Sequence, residues 1–301
     1  MVMPAPPPDT VSAYLAQLRG ALKGAPAGLI SDALADCEDH LNSEIAQNPD
    51  LNETQILATV VETYGTPAEI AEEYRDMEHT ISTPFPQPEA RDERRFGFFN
   101  VVSDPRTYGA LLYMLLALPT GIFYFVWSVV GISMSFGFAI LIIGIPFFLL
   151  FIASIRVLAH VEGRIVEALL GVRMPRRLPA SPGADEGLWS KIKETFSDIR
   201  TWSSLFYMLL RLPLGIIYFV IGVVGLALSL GVTAGAIAAL ITGESHVQIS
   251  NAPYLQHFLH TAPGLIVFGL CGVLLFFVVL HIARAIGWVH GKIAEGLLVR
   301  L

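Results

Sequence analysis

Four side chains able to coordinate a metal stand in one row: Asp32, Asp36, His40 and Glu44, at successive i, i+4 spacing, with Cys37 and Glu38 beside them. On a helix that spacing places three carboxylates and an imidazole on one face, a donor set suited to a divalent cation. A single row has no second element to close a coordination shell, so a solvated acidic face is the ordinary reading. A second group, Glu244, His246, His257 and His260, falls in a polar stretch between two apolar ones. Histidines there can sense pH or hold a metal. The plainer role is that of loop residues in water. These four are the sensing candidates. His281 and Arg284, near the end of the last apolar run, suit a gating polar pair, or more simply two side chains snorkelling to an interface.

The absences are as informative. There is no His-Glu-x-x-His, no phosphate-binding loop and no Gly-x-Ser-x-Gly elbow, so the metalloprotease, P-loop and α/β-hydrolase chemistries lack their nucleophiles, bases and cradles. Cys37 and Cys271 lie far apart in different kinds of sequence and give no reason for a disulfide. We expect no catalytic residue, no cofactor and no resident metal, and therefore not an enzyme.

The elements that carry these residues are of two kinds. The 301 residues are 53% apolar and 15% charged, with a mean hydropathy of +0.59. A soluble domain carries about 25% charge, so this chain reads as a polytopic membrane protein. Its net charge of −7 is unevenly placed: residues 1–80 hold three basic and fourteen acidic side chains. That stretch would repel a phosphate backbone, which argues against direct nucleic-acid binding, and it suits a basic protein partner.

The fold class expected is all-α: a small cytoplasmic helical domain joined to a four-span membrane bundle. Residues 1–8 read as a disordered or extended Pro-rich tail, with no signal-peptide pattern. Residues 9–80 read as an acidic four-helix domain. Asp9 or Thr10 caps its first helix, and the second runs over Ala27–Gln47. The third starts near Asn52. The fourth opens on Thr66-Pro67-Ala68-Glu69, a capping box with proline at the first helical position. Residues 81–100 are a Pro-interrupted linker in which Arg91, Arg94 and Arg95 are followed by Phe96, Phe98 and Phe99, the composition of a cytoplasmic membrane interface.

The membrane half, 101–301, contains an internal repeat. Ser103-Asp104-Pro105-Arg106-Thr107 returns as Ser197-Asp198-Ile199-Arg200-Thr201, and Leu-Pro-x-Gly-Ile-x-Tyr-Phe-Val occurs at Leu118–Val126 and Leu212–Val220. At an offset of 94, 21 of 35 positions from Ser103 to Gly137 are identical. The ends match at an offset of 128, as in Val161, Gly163, Ile165 and Glu167 against Val289, Gly291, Ile293 and Glu295. Repeat 1 is 101–177 and repeat 2 is 201–301, with an outer loop at 243–263. Spans are expected near 108–131, 138–159, 213–241 and 264–286. A tight turn is expected at Gly131–Gly137. Residues 205–212 lie either in the interface or in the span. The connection 178–200 carries an amphipathic helix with Leu188, Ile192 and Phe196 on its apolar side. Gly231 and Gly235 offer a small-residue face for packing within the bundle or between protomers. The repeats are parallel two-span hairpins with basic flanks, which places both termini in the cytoplasm of a multi-pass plasma-membrane protein.

Two stretches resemble known families. Tyr14-Leu15, Asp39-His40-Leu41 and Tyr64-Gly65-Thr66-Pro67 running into Glu69-Ile70-Ala71 and Tyr74 resemble the HTH-associated alpha-helical signalling domain (HAAS) over residues 9–78. The doubled Leu-Pro-x-Gly-Ile motif, with Glu167–Pro175, is similar to the sensor domain at the N-terminus of some actinobacterial histidine kinases, over residues 101–301. No kinase unit is expected after Leu301. The first resemblance implies a cytoplasmic regulatory partner of the PadR-like transcriptional class. The reading is a non-enzymatic membrane sensor that transduces a membrane or envelope signal and contacts membrane lipid, with homo-oligomerisation open. A transporter or permease component, and a membrane scaffold, are the alternatives.

Overall fold

The computed structural model describes residues 8–80, 98–138, 144–176, 197–243 and 253–299. Every regular element among them is helical: α1 (Val11–Ala21), α2 (Ala27–Gln47), α3 (Glu53–Tyr64), α4 (Pro67–Thr80), a 3₁₀ turn (Phe98–Ser103), α5 (Pro105–Phe138), α6 (Gly144–Leu170), α7 (Ile199–Thr242), α8 (Pro253–Leu259), α9 (Ala262–Ala294) and a π-helical turn (Glu295–Val299). They form two compact units. One gathers the described residues of 1–86, 153–204 and 294–301; the other gathers those of 87–152 and 205–293.

In the first unit, local chemistry sets the helix starts. Thr10 Oγ1 accepts from Ala13 N–H at 3.2 Å. Asn52 and Gln55 form a reciprocal capping box. Thr66 and Glu69 form the second box. Gly65 lies at φ +109, a backbone setting open to glycine, and it turns the chain between α3 and α4. The apolar stripes close two cores. One joins Leu18, Leu22, Ala33, Leu34, Ile70 and Ala71. The other joins Tyr14, Leu41, Ile56, Leu57 and Val60. The Tyr14 hydroxyl donates to Gly65 O at 3.1 Å, and burial raises it to about 12.

In the second unit, α5, α7 and α9 share a core of Met114, Ala117, Tyr218 and Ala283. The repeat explains how α5 meets α7. A Cβ on Gly121 would stand 2.8 Å from Arg211 O, and one on Gly215 would stand 2.3 Å from Ala117 O. Gly121 and Gly215 are equivalent in the two copies, as are Ala117 and Arg211. The crossing is therefore made twice by the same Leu-Pro-x-Gly step, which gives this helix pair a pseudo-two-fold relation. Glycine is required because backbone meets backbone. Pro119 and Pro213 both lie inside unbroken helices.

Four helices are long and apolar enough to cross a bilayer: Pro105–Phe138, Gly144–Leu170, Ile199–Thr242 and Ala262–Val299. Their outer faces expose large apolar groups such as Phe123, Trp127, Ile217, Val224 and Leu274. A water-facing surface rarely sustains so contiguous an apolar patch, and lipid does.

One sequence expectation is corrected. Gly131–Gly137 are helical and make no tight turn. Ser135 Oγ donates to Gly131 O at 2.7 Å, satisfying its hydroxyl within the helix, and Gly131 lies against the Phe151 ring. The residues between α5 and α6, 139–143, lie outside the described ones, as does the amphipathic stretch 188–196. Residues 205–212 belong to the same continuous helix as the span that follows. Within the chain, α7 and α9 approach through Gly225 on Val279 and Gly272 on Thr233, while Gly231 and Gly235 have no neighbour within 4 Å, which leaves their face to the packing between protomers.

Two outcomes follow. Gly215→Val should overpack the α5–α7 crossing, at a cost of about 1–3 kcal/mol, and lower the thermal midpoint of the detergent-solubilised chain. Gly235→Val should leave that midpoint unchanged. Separately, Thr66 donates its N–H and O–H to Glu69 Oε2 at 2.8 and 2.9 Å, which holds the Glu69 carboxyl below its usual range. A depressed carboxyl stabilises the fold above its unfolded-state value and loses that contribution as pH falls through the folded one. Glu69→Gln should therefore flatten the acid limb of the α1–α4 melting profile, followed by circular dichroism.

Candidate functional site

The residues with unusual surroundings lie where α6 ends. Gly171, at φ +70, stops α6, and its N–H donates to Glu167 O at 3.1 Å. The chain then runs without regular structure over residues 171–176 and lays Arg173 against α2 and α4. Arg173 is buried at 5% exposure. Its Nη2 donates to Asp32 Oδ2 at 2.9 Å, and its Nε donates to both carboxylate oxygens of Glu78 at 3.0 Å. The backbone N–H of Arg176 donates to Asp32 at 2.9 and 3.0 Å. The Arg176 side chain reaches Glu167 Oε1 at 3.1 Å, and Arg164 reaches Glu167 Oε2 at 2.6 Å.

These groups form one chain of charge from α4 through Arg173 and α2 to α6. A guanidinium removed from water is stable only when carboxylates meet its donors, and here two helices supply one each. Geometry demands the fit: a Cβ on Gly28 would stand 2.7 Å from Met174 C and 2.8 Å from Arg173 O. Met174 is itself fully buried beside Gly163.

The repeated Ser-Asp-x-Arg-Thr step has a similar use. Asp104 accepts from Arg106 N–H, and Asp198 accepts from Arg200 N–H. Asp104 then pairs with Arg284 at 3.4 Å, and Asp198 pairs with Arg156 at 3.2 Å. Arg156 and Arg284 are equivalent at the offset of 128, so each aspartate takes its arginine from the other repeat. His281 stacks on Phe98 and its Nε2 contacts Phe98 O at 3.1 Å.

A polar cluster lies within the bundle core. Arg211 is 1% exposed; its Nη2 donates to Thr120 Oγ1 at 3.2 Å and its guanidinium sits 4.5 Å from the Tyr113 ring centre. His290 has the Tyr207 hydroxyl at 2.9 Å on Nε2 and the Tyr218 hydroxyl at 3.4 Å on Nδ1. An imidazole so placed can donate to one hydroxyl and accept from the other. Arg211 stands where repeat 1 has Ala117, and His290 where it has Glu162.

The acidic row of α2 divides: Asp32 is buried, while Asp36, His40 and Glu44 are half-buried. Asp32 is buried on Arg173, and Asp36 accepts from the Tyr74 hydroxyl at 2.7 Å. The His40 ring lies on Tyr64, centroids 4.0 Å apart. Among the described residues no group of three or more His, Cys, Asp or Glu could hold a metal. Of the sensing candidates, Glu244 and His246 lie outside the described residues. His257 and His260 are exposed, and His260 Nε2 contacts Gln256 Nε2 at 3.0 Å. The clamp residues Arg173, Arg176 and Glu78 escape a search for chemistry-bearing spacing, because their partners are up to 144 residues away.

The family model described as Putative sensor matches residues 113–298. The chain belongs to the Sensor family. A HAAS model matches residues 13–73. No curated protein and no solved structure matches the chain. In this Sensor chain the HAAS helices α2 and α4 are therefore the elements that hold Arg173.

Removing one member of a buried ion pair strands the others and costs about 3–5 kcal/mol. Arg173→Met should accordingly release residues 171–176 from α2, seen as faster amide exchange in both segments of the full chain. Gly28→Val should produce the same pattern by collision, with every charge intact.

Proposed function

We propose that this Sensor protein is a non-enzymatic membrane signal transducer. A signal received by the four membrane helices is relayed through the HAAS helices to a cytoplasmic partner, a PadR-like transcriptional regulator being the class favoured. Both termini lie in the cytoplasm on this reading, and 243–263 faces outward. The observation that carries it is the Arg173 clamp. α6 is long and apolar enough to span a bilayer, and its last residues are tied by buried, charge-assisted hydrogen bonds to α2 and α4. A shift of α6 must then move those helices or break the clamp. Either is a discrete change, because packed ion pairs do not stretch gradually.

A photocrosslinking residue at exposed Glu38, on α2, tests the relay in intact cells. The expected catch is a cytoplasmic regulator, with a yield that changes several-fold in Arg173→Met. Recovery only of transport subunits or of copies of this chain overturns the reading. The Arg211–His290 cluster favours a second reading, a transporter or permease component whose path is lined by polar groups. Solute uptake into vesicles that is lost in Arg211→Leu would favour that one.

A further inference from the structure

The HAAS helices carry a surface that the clamp does not use. Within α1–α4 and their loops, the described residues expose three large apolar side chains: Leu51 at 46%, Tyr64 at 58% and Met77 at 49%. Tyr64 and Met77 line a recess of about 340 Å³, and Leu51 and Tyr64 line an adjoining one of about 160 Å³. Both recesses include His40, Val60 and Tyr64, so the tilted His40–Tyr64 pair borders each of them. Together they make one groove bordered by α2, α3 and α4. A small water-facing domain scatters its exposed apolar groups singly; here they converge.

The groove has a length and a charge. Leu51 precedes α3 and Tyr64 ends it, so the two stand apart by about the length of that 12-residue helix, ~18 Å at 1.5 Å per residue. That matches three to four turns of a docked helix, enough for anchors at i, i+3 or i+4, and i+7. Asp36, Glu44 and Glu73 line its sides. None of the three basic side chains of residues 1–80, Arg19, Lys23 and Arg75, is among the lining groups. Arg75 donates instead to Ala21 O at 2.6 Å. An acidic peptide, an anionic lipid surface or a nucleic-acid backbone would meet like charge there.

We propose that this groove binds one amphipathic helix of a cytoplasmic protein, its apolar face on Leu51, Tyr64 and Met77 and its Lys or Arg side chains against Asp36, Glu44 and Glu73. The inference rests on the relay reading above and names the surface at which the partner is read. The occupant is basic and helical because the groove is acidic, apolar-floored and a few turns long. The clamp lies elsewhere on α2 and α4, through Asp32 and Glu78, so one pair of helices holds the membrane segment and the partner at separate places.

The test uses the full chain in its own membrane. A photocrosslinking residue replaces Tyr64 or Met77, with Glu38 and Arg19 as comparison positions, and the captured peptides are sequenced by mass spectrometry. The expected result is capture at Tyr64 and Met77 into one segment of a cytoplasmic protein that has net positive charge and an apolar helical stripe. Glu44→Lys with Glu73→Lys should cut that capture at least tenfold, and charge reversal of the partner's Lys or Arg residues should restore it. Capture at Glu38 but not at the groove positions keeps the relay and overturns the groove. Capture into lipid, into this chain's own segments or into an acidic segment also overturns the groove. No cytoplasmic protein at any position overturns the relay reading itself.

Discussion

A buried guanidinium sets the terms for one end of this molecule. Arg173 has left water, and the desolvation of a full positive charge must be met by partners held in place. Asp32 and Glu78 meet it from two helices, so α2 and α4 must keep a fixed separation. That separation is maintained by the cores packed beneath them, and those cores depend on the capped helix starts at Thr10, Asn52 and Thr66. The clamp thus ties local capping, domain packing and the end of a membrane helix to one side chain. Residues 81–301 hold sixteen basic and twelve acidic side chains, so they and the acidic domain would attract loosely in any case. The buried contacts convert that attraction into a single register.

The bundle obeys a different constraint. Lipid gives helices no hydrophobic reason to associate, so close backbone approach and polar contacts must do so. The α5–α7 crossing supplies the first through Gly121 and Gly215. The second comes from Thr120, Arg211, His290 and the tyrosines around them. Where the two repeats agree they build the shared scaffold. Where they differ, repeat 2 places Arg211 against the Ala117 of repeat 1 and His290 against its Glu162.

Much of this was legible in the residues. The helical class, the four spans, the duplicated unit and the Thr66–Glu69 cap all follow from periodicity, hydropathy and turn chemistry, which act over a few residues. The family match agrees with the Leu-Pro-x-Gly and Gly-x-Pro-x-x-Ile-Ala signatures. The clamp was hidden for a physical reason. Asp32 carries the same i, i+4 pattern as Asp36 and Glu44, and only the tertiary fold decides which carboxylate meets an arginine. Gly131–Gly137 misled in the opposite sense. Glycine and serine break a helix in water, but against a packed neighbour glycine admits a ring and serine bonds its own helix.

The two aspartate–arginine pairs have a consequence for how such a chain comes to exist. Because Asp104 takes Arg284 and Asp198 takes Arg156, each repeat carries both halves of one self-complementary contact. The pairing is what a two-span hairpin would make with its own twin across a two-fold axis, the isologous arrangement of symmetric dimers. Joining the twins in one chain leaves the contact unchanged and frees each copy to drift. Ala117 and Arg211 record that freedom: one gene product can hold at a single position what two identical subunits would be forced to hold at both.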